Sequence, residues 1–370
     1  MLMNVNSNNN ANFNEALSST YKYNPAIKED YEKGKPILSV IFSCYHQLNF
    51  IKHSLKSIQD QDYQNVELIL VDNNAQLDVK EYIHNCYENF TNTALITFET
   101  NQFDWKDVCK EVAVCWNVAL IFAKGDYVCH IGHDDLISPN YASSMVNLFL
   151  ENPECVTAAP MPFSINSAGI VNNPDRLKNL NMRPRYIDGL DVAIDLLEGC
   201  PKKLFAAPGE IFVIKRDVML KHGGYDRIVD ISQVLKYAVL GVTGFDSEAS
   251  LYWRHHDGQL NKQAKLNGEI FYQMTKKGWD QSGIVDLWRQ SFDDKTLKLL
   301  LAFMKHQIIS DVINVLVENI RNKNFNGLVK AGLNILIECP TLLPRAFCVV
   351  LFELFSMIFS WTCRRLKFFR

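Results

Sequence analysis

The chain alternates short unbroken apolar runs with longer amphipathic stretches. Residues 36–45, Pro-Ile-Leu-Ser-Val-Ile-Phe-Ser-Cys-Tyr, are a β-branched run of strand length. Phe50, Ile51, Leu55 and Ile58 then recur at helical spacing over 49–61. Residues 66–71 predict a second buried strand. Val79, Tyr82, Ile83 and Tyr87 predict a helix over 78–90, and 94–98 a third strand. Val108, Val112, Cys115, Trp116, Ala119 and Leu120 share one side of a helix over 107–123. A fourth strand, from Tyr127, runs into Gly132-His133-Asp134-Asp135. The order β-α-β-α-β-α-β is that of a mostly parallel sheet wrapped by helices. Such sheets bind ligands at the carboxyl ends of their strands. Ser43, Tyr45, Asp72, Asp134 and Asp135 all fall there.

Further along, Ser138-Pro139 predicts the N-cap of a helix over 136–150. Strands are expected at 155–165, 210–215 and Ser250–Arg254, with a long loop over 166–188. A short helix over 216–221 ends at Gly223-Gly224, and another covers 230–240. From 264 to 335 the pattern is helical. The expected organisation is a flexible Asn-rich tail (1–35), an α/β domain (36–262), a helical extension (263–338) and an apolar C-terminal segment (339–370).

That last segment carries Phe347, Leu351, Phe352, Phe355, Ile358, Phe359 and Trp361, and closes on Arg364-Arg365-Leu366-Lys367-Phe368-Phe369-Arg370. Pro344, Arg345 and Glu353 interrupt it, which disfavours a spanning helix. An interfacial helix with aromatic anchors and a basic end fits better. The other reading is a core helix docked on the α/β domain.

With 370 residues, 48% of them hydrophobic, the chain can bury one substantial core and a smaller unit. A net charge of −3 gives no pull toward nucleic acid. Ten cysteines without a C-x-x-C pair argue against a zinc site or a disulfide framework, and fit a reducing cytosol. The polar N-terminus predicts no signal peptide. No G-x-G-x-x-G follows the first strand and no G-x-x-x-x-G-K-[ST] occurs, so dinucleotide dehydrogenases and P-loop NTPases are disfavoured. Adjacent strand-end carboxylates repel each other. They are tolerated where a divalent cation sits between them and a phosphate. The bland readings are a solvated turn at Asp134-Asp135, an Asx-turn at Asp72 and a helix N-cap at Asp230.

In order, the chain shows Val40-Ile41-Phe42-Ser43-Cys44-Tyr45, then Glu67-Leu68-Ile69-Leu70-Val71-Asp72-Asn73-Asn74. Trp116-Asn117-x-Ala119, Gly125-Asp126-Tyr127 and His133-Asp134-Asp135 follow. Then come Gly223-Gly224-Tyr225-Asp226, Asp230 and Arg254-His255-His256. Over about residues 36–258 this resembles the family 2 inverting glycosyltransferases of GT-A fold. The resemblance implies that Ser43 and Tyr45 line a uracil pocket and that Asp72 accepts hydrogen bonds from base or ribose. Asp134 and Asp135 match the metal-binding acidic motif, Asp134 also lying against the nucleotide. Asp230 matches the catalytic base, and Arg254 and His256 an element near the diphosphate. Two positions depart from the pattern: Gly132 and Val229 stand where acids are usual.

The resemblance further implies a Mn²⁺ or Mg²⁺ cofactor and a nucleotide-sugar donor, UDP-linked. The acceptor would be a glycan or a polyprenyl-diphosphate-linked saccharide of surface polysaccharide such as O-antigen or capsule. The implied location is cytoplasmic, peripheral on the inner face of the membrane. Two rivals are a nucleotidyltransferase and a non-catalytic protein that keeps the GT-A fold.

Overall fold

A computed structural model describes residues 11–104, 110–172, 184–198, 212–226, 230–259, 283–338, 343–344, 346–348 and 350–352. Strands β2 (Leu38–Cys44), β3 (Val66–Asp72), β4 (Thr93–Phe98) and β5 (Tyr127–His130) pair in parallel, in the order β4-β3-β2-β5. Their apolar runs are buried on both faces, as a helix-covered parallel sheet requires. Helix α2 (Leu48–Gln59) turns Ile51, Leu55 and Ile58 onto the sheet, and α3 (Leu77–Asn89) turns Val79, Ile83 and Cys86 inward. Each such side chain, fully buried, contributes about 1.5–3 kcal/mol. The helix after β4 widens to a π turn over Val112–Trp116 before α4 (Asn117–Phe122).

The sheet then becomes mixed. β7 (Cys155–Asn166) and β10 (Val242–His255) pair in parallel beyond β9 (Val213–Lys215), which is antiparallel to both β5 and β7. The short β6 (Leu136–Ile137) and β8 (Tyr186–Asp188) flank β10, antiparallel to it. The sheet is thus parallel through its first half, and its second half joins the parallel β7–β10 pair to antiparallel β6, β8 and β9. The predicted helix over 136–150 starts later, as α5 (Tyr141–Glu151), because Ser138 is used otherwise: its hydroxyl bonds Asn140 Oδ1 and accepts from Ser250 N. Of the expected loop, 173–183 lie outside the described residues, and 186–188 are strand.

The expected flexible tail is corrected over its described part. Helix α1 (Ala11–Ser18) buries Phe13 and Ala16, and β1 (Tyr21–Asn24) adds to the edge of β4. Tyr23 stacks on Phe122 at 4.0 Å. Tertiary burial outweighs the weak local propensity of this Asn-rich stretch.

Helices α6 (Gly189–Leu197), α7 (Arg216–Lys221) and α8 (Asp230–Tyr237) cover the second half of the sheet. The extension follows as α9 (Ile284–Ser291), α10 (Asp294–Arg321) and α11 (Phe325–Glu338). It is not a separate body at its start: Trp288 of α9 is fully buried in the main core and donates from Nε1 to Leu235 O of α8 at 3.3 Å. Most of the C-terminal segment lies outside the described residues.

Candidate active site

The carboxyl ends of β2, β3 and β5 meet at one edge of the sheet, where Asn73 N donates to Cys44 O and Gln76 N to Tyr45 O. Ser43 Oγ accepts from Trp116 Nε1 at 3.0 Å, and Tyr45 is 39% exposed beside it. Asp72 is fully buried at the end of β3. Its Oδ1 accepts from Ala75 N at 2.8 Å, which is the expected Asx-turn. Its Oδ2 has no hydrogen-bond partner; Lys80 Nζ and His84 Nε2 stand 3.8 Å away. A buried carboxylate oxygen left without a donor is costly, and here it faces two groups just beyond bonding distance. Turn and ligand readings of Asp72 are thus compatible, one oxygen to each.

The acidic loop after β5 is held from several sides. Asp135 N donates to Gly132 O, and Ser54 Oγ of α2 donates to His133 O at 3.0 Å. Asp135 is buried, and its Oδ1 accepts from Arg254 N of β10 at 2.8 Å. Asp134 turns the other way. Its Oδ2 lies 2.9 Å from His256 Nε2, just past the end of β10. The glycine between these acids and the strand is required by the packing: a Cβ on Gly132 would sit 2.7 Å from Asp135 Oδ2 and 3.2 Å from Asp134 Oδ1.

Arg254 differs from the expected phosphate contact. It is buried, its Nε donates to Asp134 O at 2.6 Å, and its Nη1 donates to Ser167 O at 3.1 Å. Its guanidinium lies over the Phe50 ring at 4.9 Å. A guanidinium that has lost its water takes carbonyl oxygens in exchange, so Arg254 fixes the backbone that presents Asp134.

Around these acids the site also holds Gln47 and His46, which the sequence pattern did not single out. Gln47 adopts φ +68° and places Oε1 2.9 Å from His133 Nε2. A positive φ outside glycine is uncommon, and only this contact marks it. His46 faces His133 at 5.6 Å between ring centres, and His256 packs on Phe50 at 4.8 Å. Burial lowers the pKa of His46 and of His133, against the raising pull of Asp134, and keeps both rings neutral at pH 7. Trp116 stacks on His130 at 3.8 Å, and Tyr225 closes edge-on against Trp116 at 5.2 Å.

Asp230 opens α8. Its side chain lies outside what the structure describes, but the elements beside it are well fastened. Asn117 bonds both the N–H and the carbonyl of Tyr225. Tyr237 Oη donates to Gly224 O at 2.6 Å. Lys236 Nζ and Asp226 Oδ2 form a buried ion pair at 2.7 Å.

Among the described residues no group of three or more His, Cys, Asp or Glu side chains forms a complete metal cage. The donor set at Asp134 and His256 nevertheless fits a divalent cation of the Mn²⁺ or Mg²⁺ kind. One carboxylate oxygen and one imidazole nitrogen converge at 2.9 Å, and such ions take their remaining ligands from phosphate and water.

Comparison with known proteins bears on the family and the fold. Residues 39–194 match the model of the family described as Glycosyl transferase family 2, and the chain carries a glycosyltransferase domain of that family. An uncharacterized glycosyltransferase of Haemophilus influenzae is 26% identical over 207 residues, 55% of this chain and 75% of that protein. One from Rickettsia typhi is 26% identical over 295 residues, covering 75% and 79%. Among solved structures, S. aureus TarS 1-349 in complex with UDP-GlcNAc superposes with TM-score 0.56 at 14% identity, covering 86% of this chain and 89% of that one. The mannosyltransferase PcManGT from Pyrobaculum calidifontis, in complex with GDP-Man and Mn²⁺, gives 0.51 at 13% identity, covering 93% of each. These two establish the GT-A fold. The family match and the named relatives make the enzyme class glycosyltransferase.

Proposed function

We propose that the protein transfers a sugar from a nucleotide-diphosphate donor, UDP-linked, to a hydroxyl of a growing glycan, with inversion at the anomeric carbon. The acceptor in this reading is a lipid-linked saccharide of surface-polysaccharide assembly. The observation that carries the proposal is the meeting of Asp134 and His256 beside a strand-end slot whose buried Asp72 Oδ2 lacks a donor. That oxygen would accept an N–H of the donor base, with Ser43 and Tyr45 beside the ring.

Asp134 and His256 would hold the cation, with Asp135 behind them. When bound, the cation supplies charge to offset that developing on the departing diphosphate. Arg254 and Asp135 keep Asp134 in place through the backbone, so the site needs little rearrangement as charge develops. Asp230 would take the proton of the acceptor hydroxyl.

The test is calorimetric titration of UDP with Mn²⁺ and then with EDTA, with GDP run in parallel. Metal-dependent UDP binding is expected. Binding of GDP instead would refute the UDP assignment, and no nucleotide binding at all would refute the transfer reading.

A further inference from the structure

We propose that the outer face of α11 is a docking surface for an anionic lipid bilayer. On its inner face, Ala331 and Ile335 pack against Val315 and Leu316 of α10 and against Ala346. On the opposite face stand Phe325, Val329, Leu333 and Leu336, which are 73%, 61%, 51% and 52% exposed. Their spacing of four, four and three residues draws one continuous stripe along the helix. α11 is thus apolar on two sides, and described residues cover only one. Phe347, Leu351 and Phe352 are exposed as well. A contiguous apolar patch of this kind marks an interaction site.

Charge decides the partner. Between Glu318 and Glu338 the sequence contains Arg321, Lys323 and Lys330 and no Asp or Glu, in a chain whose net charge is −3. Lys330 is itself exposed, one residue from Val329. An apolar stripe with an aromatic anchor, flanked by three cations against the two acids Glu318 and Glu338 at the ends of the stretch, suits an anionic headgroup layer. The side chains enter the acyl boundary while the long cationic stems reach outward to phosphate. The sequence from 354 to 370, outside the described residues, repeats that charge pattern with Arg364, Arg365, Lys367 and Arg370 and no acid. No helix among the described residues is long and apolar enough to cross a membrane. The inference goes beyond the transfer reading and uses none of its residues. Its consequence is that the enzyme works beside its lipid-borne acceptor.

The experiment is co-sedimentation of the full chain with vesicles of phosphatidylglycerol and phosphatidylcholine, against vesicles of phosphatidylcholine alone. Wild-type protein should pellet with the anionic vesicles and remain largely in solution with the neutral ones. Lys330→Ala should weaken binding about fivefold, the effect of one cation near such a surface. The double variant Val329→Gln/Leu333→Gln should weaken it by about tenfold or more. Both changes are on the surface, so thermal unfolding and UDP binding serve as controls that separate this proposal from the transfer reading. Unchanged vesicle binding in the double variant would overturn it. So would wild-type protein that ignores anionic vesicles and sediments as a dimer which the double variant dissociates, since the stripe would then join two copies.

Discussion

Replacing Lys236 with Met tests how the start of α8 is held in place. Lys236 Nζ and Asp226 Oδ2 are 2.7 Å apart, with side chains 4% and 2% exposed. At an effective dielectric of about 20, their attraction is about 6 kcal/mol, set against a desolvation cost of several kcal/mol per ion. The intact pair is therefore close to neutral for stability. Removing one partner is not neutral, because the Asp226 carboxylate stays buried without its cation. Lys236→Met should lower the unfolding free energy by about 3–5 kcal/mol, a large part of the 5–15 kcal/mol expected of a domain. Asp226→Asn/Lys236→Met removes both charges and should recover about half of that loss or more. Urea unfolding followed by tryptophan fluorescence reads both, since Trp116 and Trp288 pack in or against the core. A single-variant loss below about 1 kcal/mol, or additive losses in the cycle, would refute the argument. The pair spans the stretch that leads into Asp230, so kcat should fall with little change in donor KM.

Asp134→Ala should weaken metal-dependent UDP binding about 100-fold or more, whereas Arg254→Lys should weaken it about 10–100-fold through the backbone; calorimetry separates the two. Gly224→Ala should cost about 2 kcal/mol or more, because φ is +66° and the new Cβ would lie 2.1 Å from Asn117 Oδ1; the thermal midpoint reads this. His130 should make the fold acid-sensitive. Burial depresses its pKa to about 3, so between its unfolded value near 6.5 and about pH 3 the unfolded chain binds a proton that the folded one refuses. Its stabilising effect is complete above pH 6.5 and falls as pH drops through that window, by roughly 4 kcal/mol in all. His130→Phe should flatten that slope in urea unfolding measured from pH 7 to pH 4; an unchanged slope would reject the assignment.

The strand-end acids were legible because each follows a run that can only be a buried strand. Leu68–Val71 ends on Asp72, and Tyr127–Ile131 leads to Asp134. Such runs carry their own period, and the parallel topology then places their ends together. The role of Arg254 was not legible. An Arg at the end of a strand reads as a free cation until the chain returns Asp134 O and Ser167 O to it, from positions about 90 to 120 residues away. The buried Lys236–Asp226 pair is hidden for a related reason. Lys236 sits in a helix of ordinary amphipathic pattern, and only the Gly223-Gly224 turn brings Asp226 beneath it. The N-terminal α1 and β1 were missed because their order comes from a groove and a free sheet edge supplied by the rest of the fold.

The two neighbouring acids have come to do different work, and Gly132 is what permits it. Asp135 is committed to the backbone of β10, and Arg254, held at that point, returns a hydrogen bond to the backbone of Asp134. The pair thus forms a closed brace in which each acid fixes the strand that fixes the other. The Asp134 side chain meets His256. An aspartate at 132 would need the space within 2.7 Å of Asp135 Oδ2, where a third carboxylate would bring both steric and charge repulsion. Gly132→Asp should therefore not improve donor binding by restoring the usual acid. It should loosen the brace, lowering both the thermal midpoint and the metal-dependent affinity for UDP. A variant that kept its stability and bound UDP more tightly would show that the brace is dispensable and that the missing acid limits the site.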